Sequence, residues 1–264
     1  MPDPVIDRYL PDDMAEVQEV LKLALGERET SPRTPEFWHW KHFENPFGPS
    51  LLLVARMKGQ IAGIRAYLRW RFRFPGGELK ALRAVDTATH PDHLREGIFR
   101  SLTIEANRRA EEEGIDLIFN TPNEKSRPGY LAMGWKIVGK PRVYVRPLRP
   151  PRRLPGGPSG VSDFSAGSLT DVADLVDRAP LGIRTIRDIA YLDWRFRRHP
   201  QVAYRQIEWR QGRAVARANR RAGRLEIVAS EIFGTGSMRS GLRGLAGDYV
   251  VASARPKSPE ARVM

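Results

Sequence analysis

A layered α/β fold in two copies, the second incomplete, is what this 264-residue sequence predicts. Three observations carry the prediction. Segments of helical period alternate with segments of strand period around hairpin turns, the pattern of a sheet covered by helices. The stretch PLRPPRRLPGGPSG, Pro147–Gly160, holds five prolines and three glycines, which suits neither a helix nor an inner strand and reads as a linker. The segments on either side of it resemble each other. The expected units are 1–146, a linker at 147–160, and 161–264.

In the first unit the pattern predicts a helix near 11–25 and a short aromatic helix near 35–43. A strand pair follows around the Lys58-Gly59 turn, then a strand Leu79–Thr87. A turn at His90–Leu94 leads to a helix over 98–112, with Phe99, Leu102, Ala106 and Ala110 on one face. Gly114, free to turn left-handed, closes that helix. A strand at 115–120, a helix near 123–133 and a last strand Trp135–Val145 complete the unit.

The repeat rests on two ten-residue stretches. FWHWKHFENP (Phe37–Pro46) and YLDWRFRRHP (Tyr191–Pro200) align on Trp40 and Trp194, with an aromatic residue before, a base after and a shared proline. Helix starts with early aspartates precede both, LPDDMAEVQEVL at Leu10 and LTDVADLV at Leu169. Alternating segments about a Gly-Gln or Gln-Gly turn follow both. Trp38, Trp40 and Trp194 read as core or packing aromatics, with a substrate groove as the other reading.

Composition narrows the chemistry. There is no cysteine, hence no disulfide framework, thiolate metal site or cysteine nucleophile. The five histidines, His39, His42, His90, His93 and His199, lack metal-site spacing, so no metal is expected. No signal segment and no apolar run of membrane length is present, so the expectation is a soluble cytoplasmic protein with no membrane partner. The net charge is +13, and most of it lies between Pro141 and Arg224, where 18 arginines and no lysine face 7 acidic residues. Two readings stay open: a surface for an anionic partner, or a general preference for arginine. No finger, RNP-type or recognition-helix motif accompanies the charge, and nucleic acid is not the expected partner.

The stretch HPDHLREGIFRSL, His90–Leu102, runs from a strand through a turn into a helix at Gly97. A helix start offers unpaired amides and the positive end of a dipole to an anion. Most such turns bind nothing, so the downstream sequence decides. NTPNEKSRPGYLAMGW places Asn123 seven residues before Tyr130, with Gly134-Trp135 beyond.

Together these two stretches resemble the GNAT superfamily of acyl-CoA-dependent N-acyltransferases. The superfamily shows strand, His-Pro, Gly-Ile, helix, strand, then N-x-x-A-x-x-x-Y-x-x-x-G-F, with Ser126 and Trp135 here replacing the alanine and phenylalanine. The resemblance covers about 80–145 closely and 1–79 by order of elements. The layout is similar to tandem-GNAT, Eis-like acetyltransferases, and the signature to bacterial members found among exopolysaccharide genes.

The resemblance implies a mixed, mostly antiparallel sheet flanked by helices, with acetyl-CoA or another acyl-CoA as co-substrate. It implies that backbone groups of Thr87, Ala88 and Thr89 pair with the pantetheine arm. The amides of Arg95, Glu96, Gly97, Ile98, Phe99, Arg100 and Ser101 would hold the pyrophosphate. Asn123 would bond the pantetheine, and Tyr130 would return a proton to the departing thiolate. The residues alone leave alternatives: Tyr130 as packing, Asn123 as a helix cap, Asp86 as either a solvated or ion-paired carboxylate or the base for the amine. Two positions depart from the pattern. Leu94 stands where Arg or Gln is usual, and Phe99 where a small residue lets the pyrophosphate approach.

The second copy shows GTGSMRSGLRGLAGD at the place of the phosphate turn and no Asn-to-Tyr pattern. The expected function is N-acetyl transfer to a primary amine on a small molecule, an amino sugar by resemblance or an anionic acceptor by charge. The alternative is a non-catalytic GNAT-fold binding module. A homo-oligomer is left open.

Overall fold

The computed structural model describes residues 3–27, 32–148, 161–163, 182–242, 245–254 and 262–263. They fall into two compact units, Met1–Ile137 with Leu181–Ile186, and Val138–Pro180 with Arg187–Met264.

The first unit is built on a sheet of strands β1 (Val5–Arg8), β2 (Leu51–Met57), β3 (Gln60–Phe74), β4 (Gly77–Thr89) and β5 (Leu117–Phe119), in that order. β1 to β4 pair antiparallel, and β5 joins β4 parallel. The two-residue β8 (Arg184–Thr185) pairs with the far end of β3. The β2–β3 turn is the expected Lys58-Gly59 pair, both with positive φ (51° and 84°), the geometry that matches strand twist.

Helices cover both faces. α1 (Met14–Leu25) buries Val17, Val20 and Leu21 along one stripe. α2 (Pro35–Phe43) starts where Thr34 accepts from the Phe37 amide at 3.2 Å, with Pro35 pre-set at the first position. It turns Trp38, Trp40 and His42 inward, so both tryptophans are core residues rather than groove walls. On the other face, α3 (Ile98–Glu112) lays Ile98, Leu102, Ala106 and Ala110 against Leu53, Tyr67 and Leu82. Each large aliphatic side chain buried this way contributes about 1.5–3 kcal/mol. α3 approaches closely because β3 carries Gly63: a Cβ there would lie 2.7 Å from Ile98 Cγ2 and 3.1 Å from the Ala88 carbonyl.

The second unit repeats the plan. Strands β9 (Arg205–Trp209), β10 (Gly212–Arg221) and β11 (Arg224–Gly234) form an antiparallel meander, and β12 (Tyr249–Ala254) joins β11 parallel, as β5 joins β4. β7 (Val161–Asp163) lies antiparallel to β9, as β1 does to β2. The turn Ile189–Leu192, continued by the wider π turn Asp193–Arg197, stands before β9 as α2 stands before β2, and it buries Trp194. No helix follows β11 among the described residues, so the counterpart of α3 is missing there.

Some expectations need correction. The strand at Leu79–Thr87 is longer, Gly77–Thr89, because β3 pairs with it over its whole length. Phe99 leaves the core stripe of α3, and Ile98 takes its place. The helix near 123–133 is the shorter α4, Arg127–Ala132. Residues Trp135–Lys140 form no strand, and the strand that follows, β6 (Arg142–Pro147), pairs antiparallel with β12 in the second sheet. The helix expected at Leu169 and most of the 147–160 linker lie outside the described residues.

Candidate active site

β4 sets the geometry. Its pairing with β5 spans only Ala81 to Arg83 against Leu117 to Phe119, so beyond Arg83 one edge of β4 is open while β3 holds the other. On the β3 side the register jumps: Ala66 faces Val85 but Ile64 faces Ala88, a bulge that sets Asp86 and Thr87 against Arg65. Asp86 takes the strain with φ +36°, a region that Asp tolerates better than most residues. The open edge carries Thr87, Ala88 and Thr89.

The bulge turns the Asp86 carboxylate towards α2. One oxygen accepts from Lys41 Nζ at 2.5 Å and from His42 Nε2 at 3.0 Å. The ring therefore carries its proton on Nε2, and Nδ1 accepts from Ser50 Oγ at 3.0 Å. Burial by itself would raise the Asp86 pKa, but the Lys41 ammonium and His42 hold it well below the carboxylate range. His42, fully buried with Trp38 against its ring, is pushed down by burial despite the carboxylate beside it. The reading of Asp86 as an ion-paired carboxylate describes this geometry. As a base it is weak, because so acidic a carboxylate binds a proton poorly.

Past the open edge, His90 caps a short turn by accepting from the Asp92 amide, and His93 bonds Glu96 at 2.9 Å. Arg95 and Gly97 both have positive φ, 68° and 78°, which bends the chain into α3. The first helical bond runs from the Ser101 amide to the Gly97 carbonyl. Ser101 thus differs from the expectation, since its amide is engaged, and the amides of Ile98, Phe99 and Arg100 are left without an intrahelical acceptor. Nothing lies within 4 Å of a Cβ built on Gly97, so the space over the turn is empty. Leu94 is exposed, as are the backbone neighbours Arg95 and Arg100.

Phe99 points across to α4. Its ring stands edge-on to Tyr130 (5.2 Å between centroids) and closes on Gly129, where a Cβ would meet it at 3.0 Å. Asn123 accepts from the Ser126 amide at 2.8 Å, which makes it a cap of the turn leading into α4. Tyr130 is buried with its ring tilted against Trp135 (4.8 Å between centroids), and its hydroxyl accepts from Arg65 Nη1 at 2.9 Å.

Arg65, Tyr67, Lys41 and His42 were not singled out from sequence. Arg65 carried a signal, a lone charge inside the apolar run IAGIRAYL. Lys41 and His42 lie in the aromatic stretch, where Lys41 reads only as the base of the repeat and His42 only as a histidine without metal-site spacing. A cavity of about 230 Å³ lies further along β3 and β4, lined by Phe47, Arg69, Trp70 and Lys80, but its Arg69 is already bound to Glu113 and the Pro49 carbonyl. Among the described residues no group of three or more His, Asp or Glu is arranged to hold a metal.

An opened fourth strand, a bulge, a strand-to-helix turn and a buried tyrosine on the next helix define an acyltransferase fold of one class. Residues 6–138 match the acetyltransferase (GNAT) domain family, and the chain belongs to that family. Three solved structures share the fold at low identity. A conserved protein of Enterococcus faecalis, named as a probable N-acyltransferase, has a TM-score of 0.69 at 15% identity, with 96% of this chain and 65% of that one covered. Eis1 of Mycobacterium abscessus gives 0.62 at 15%, covering 98% and 68%. A GCN5-related N-acetyltransferase of Kribbella flavida gives 0.67 at 14%, covering 99% and 67%. The chain spans less than two thirds of the Enterococcus protein. No curated protein sequence is a significant match.

Proposed function

We propose that the chain transfers an acetyl group from acetyl-CoA, or another acyl group from its CoA thioester, to a primary amine on a small molecule. The observation that carries this reading is the open edge of β4 at Thr87–Thr89, flanked by the turn at Gly97 and by the Tyr130 hydroxyl. The residues fit a CoA thioester. Edge-strand backbone groups suit an amide-bearing pantetheine arm, and the amides at Ile98, Phe99 and Arg100 suit a pyrophosphate.

In the reaction the amine nitrogen forms a bond to the thioester carbonyl carbon. Backbone amides at the splayed end of β4 stabilise the oxyanion. The carbon–sulfur bond then breaks, and Tyr130 gives its proton to the sulfur. Asp86 holds Lys41 and His42 beside the bulge. The amine's own proton goes to water.

The resemblance stated above favours an amino sugar as acceptor, and the arginines of the second unit favour an anionic one such as a nucleotide-linked sugar. The second unit lacks an α3 counterpart among the described residues and serves the first without a CoA site of its own. Among the described residues no helix is long and apolar enough to cross a membrane.

The packing of Phe99 on Gly129 favours a second reading, a GNAT-fold module that binds a ligand without turning it over, because that ring occupies space between α3 and α4. The test is thiol release from acetyl-CoA with a panel of amino sugars, nucleotide-linked amino sugars and polyamines. Amine-dependent release supports the enzyme, and binding with no release for any amine supports the module.

A further inference from the structure

Among the described residues of the first unit, Arg65 is the one guanidinium with no exposed surface, and no carboxylate lies within ion-pair distance of it. Burying a cation without a counter-charge costs several kcal/mol. What surrounds it is neutral. Nη2 donates to the Tyr67 hydroxyl at 3.0 Å, and Nη1 donates to Tyr130 at 2.9 Å and to Thr87 Oγ1 at 3.3 Å. The rings of Tyr67, Phe99 and Tyr130 surround it at 4.8–5.5 Å, and Nε has no partner at all. Burial pushes the Tyr67 phenol above its ordinary pKa, so Tyr67 does not supply the missing negative charge.

The two tyrosines differ in one respect. Tyr67 accepts from Arg65 and passes its own proton to Asn107 Oδ1 at 2.6 Å. Tyr130 accepts from Arg65 and, among the described residues, donates to nothing. Its oxygen accepts from Arg65 Nη1, whose other acceptor is Thr87 Oγ1, so the Tyr130 hydroxyl stands beside the part of β4 whose edge is open, with a proton that no described residue takes.

We propose that Arg65 is a positioning residue that aims the Tyr130 proton and supplies the positive charge awaiting an anionic sulfur, the thiolate freed in acyl transfer. This rests on the acyl-CoA reading. When the carbon–sulfur bond breaks, sulfur keeps the electron pair and takes the proton from Tyr130. The resulting phenolate stays bonded to Arg65 until water reprotonates it. Thus Arg65 faces negative charge at each stage after the bond breaks and none before.

The test compares free CoA with desulfo-CoA, which lacks the sulfur, by calorimetric titration of the full chain at alkaline pH, where the thiolate fraction of CoA rises. Wild type should bind CoA about tenfold more tightly than desulfo-CoA. Arg65→Met should abolish that preference and leave the desulfo-CoA affinity in place, and Arg65→Lys should restore part of it. Should Arg65→Met fail to fold, Arg65→Lys and the wild-type preference carry the test. A wild type that binds both ligands equally, or an Arg65→Met variant that keeps the preference, overturns the role of Arg65 and leaves the acyl-CoA reading standing. A wild type that binds neither overturns both.

Discussion

Lys41 Nζ lies 2.5 Å from the Asp86 carboxylate, across from a backbone that the β4 bulge has twisted to φ +36°. The helix and the strand are thereby tied by a half-buried ion pair at the point where the sheet opens. Asn tolerates the same backbone conformation as Asp, so Asp86→Asn isolates the charge. It leaves Lys41 without its counter-ion and the neutral His42 without a charged acceptor, and should cost about 3 kcal/mol. A urea titration with an unchanged midpoint would show that the pair is dispensable.

Tyr130→Phe removes a hydroxyl and little else, since the ring packing on Phe99 and Trp135 survives. The expected loss in kcat is about 10²-fold, with acetyl-CoA affinity nearly unchanged. Equal losses in affinity and turnover would assign Tyr130 to binding instead.

Gly63 sets how close α3 lies to the sheet, and the start of α3 is the proposed pyrophosphate site. Gly63→Ala forces a Cβ against Ile98 and the Ala88 carbonyl, and should cost about 1–3 kcal/mol. It should weaken acetyl-CoA binding as the helix shifts. A variant with lowered melting temperature but full affinity would separate packing from the site.

Acid should destabilise the fold through two histidines. His199 is pushed down to about 4 by burial, with Arg195 and Arg217 adding to it. His42 is likewise lowered by burial. Between pH about 6.5 and about 4 the unfolded chain binds protons that folded His199 refuses, so stability is full above this window and is lost as the pH falls through it. Denaturant melts on both sides of the window should show a smaller acid loss for His199→Gln than for wild type. An identical loss would remove His199 from the account.

How much of this could be read in advance depends on whether the cause is local. Lys58-Gly59, the aromatic helix near 35–43 and the run from His90 to Gly97 each form through neighbours in sequence, and each stands where the pattern predicts it. Arg65 and Tyr67 share a face of their strand by its period, but the other partners of Arg65 come from β4 and α4, and no periodicity announces them. The bulge at Asp86 is a matter of register between two strands. β6 shows the same limit: its residues read as a strand, while the sheet it joins is chosen by β12, more than a hundred residues on. Phe99 left the expected stripe because Ile98, one position earlier, fits the slot over Gly63.

The central claim is that the turn at Gly97 receives the pyrophosphate of an acyl-CoA. Calorimetric titration with acetyl-CoA, run on wild type and on Gly97→Trp, tests it most directly. No protein atom stands within 4 Å of the added Cβ, and the left-handed backbone costs about 1–2 kcal/mol, so the variant should stay folded. Saturable binding by wild type, absent in a folded Gly97→Trp, is the predicted result. Binding that survives the substitution, or its absence in wild type, would contradict the claim.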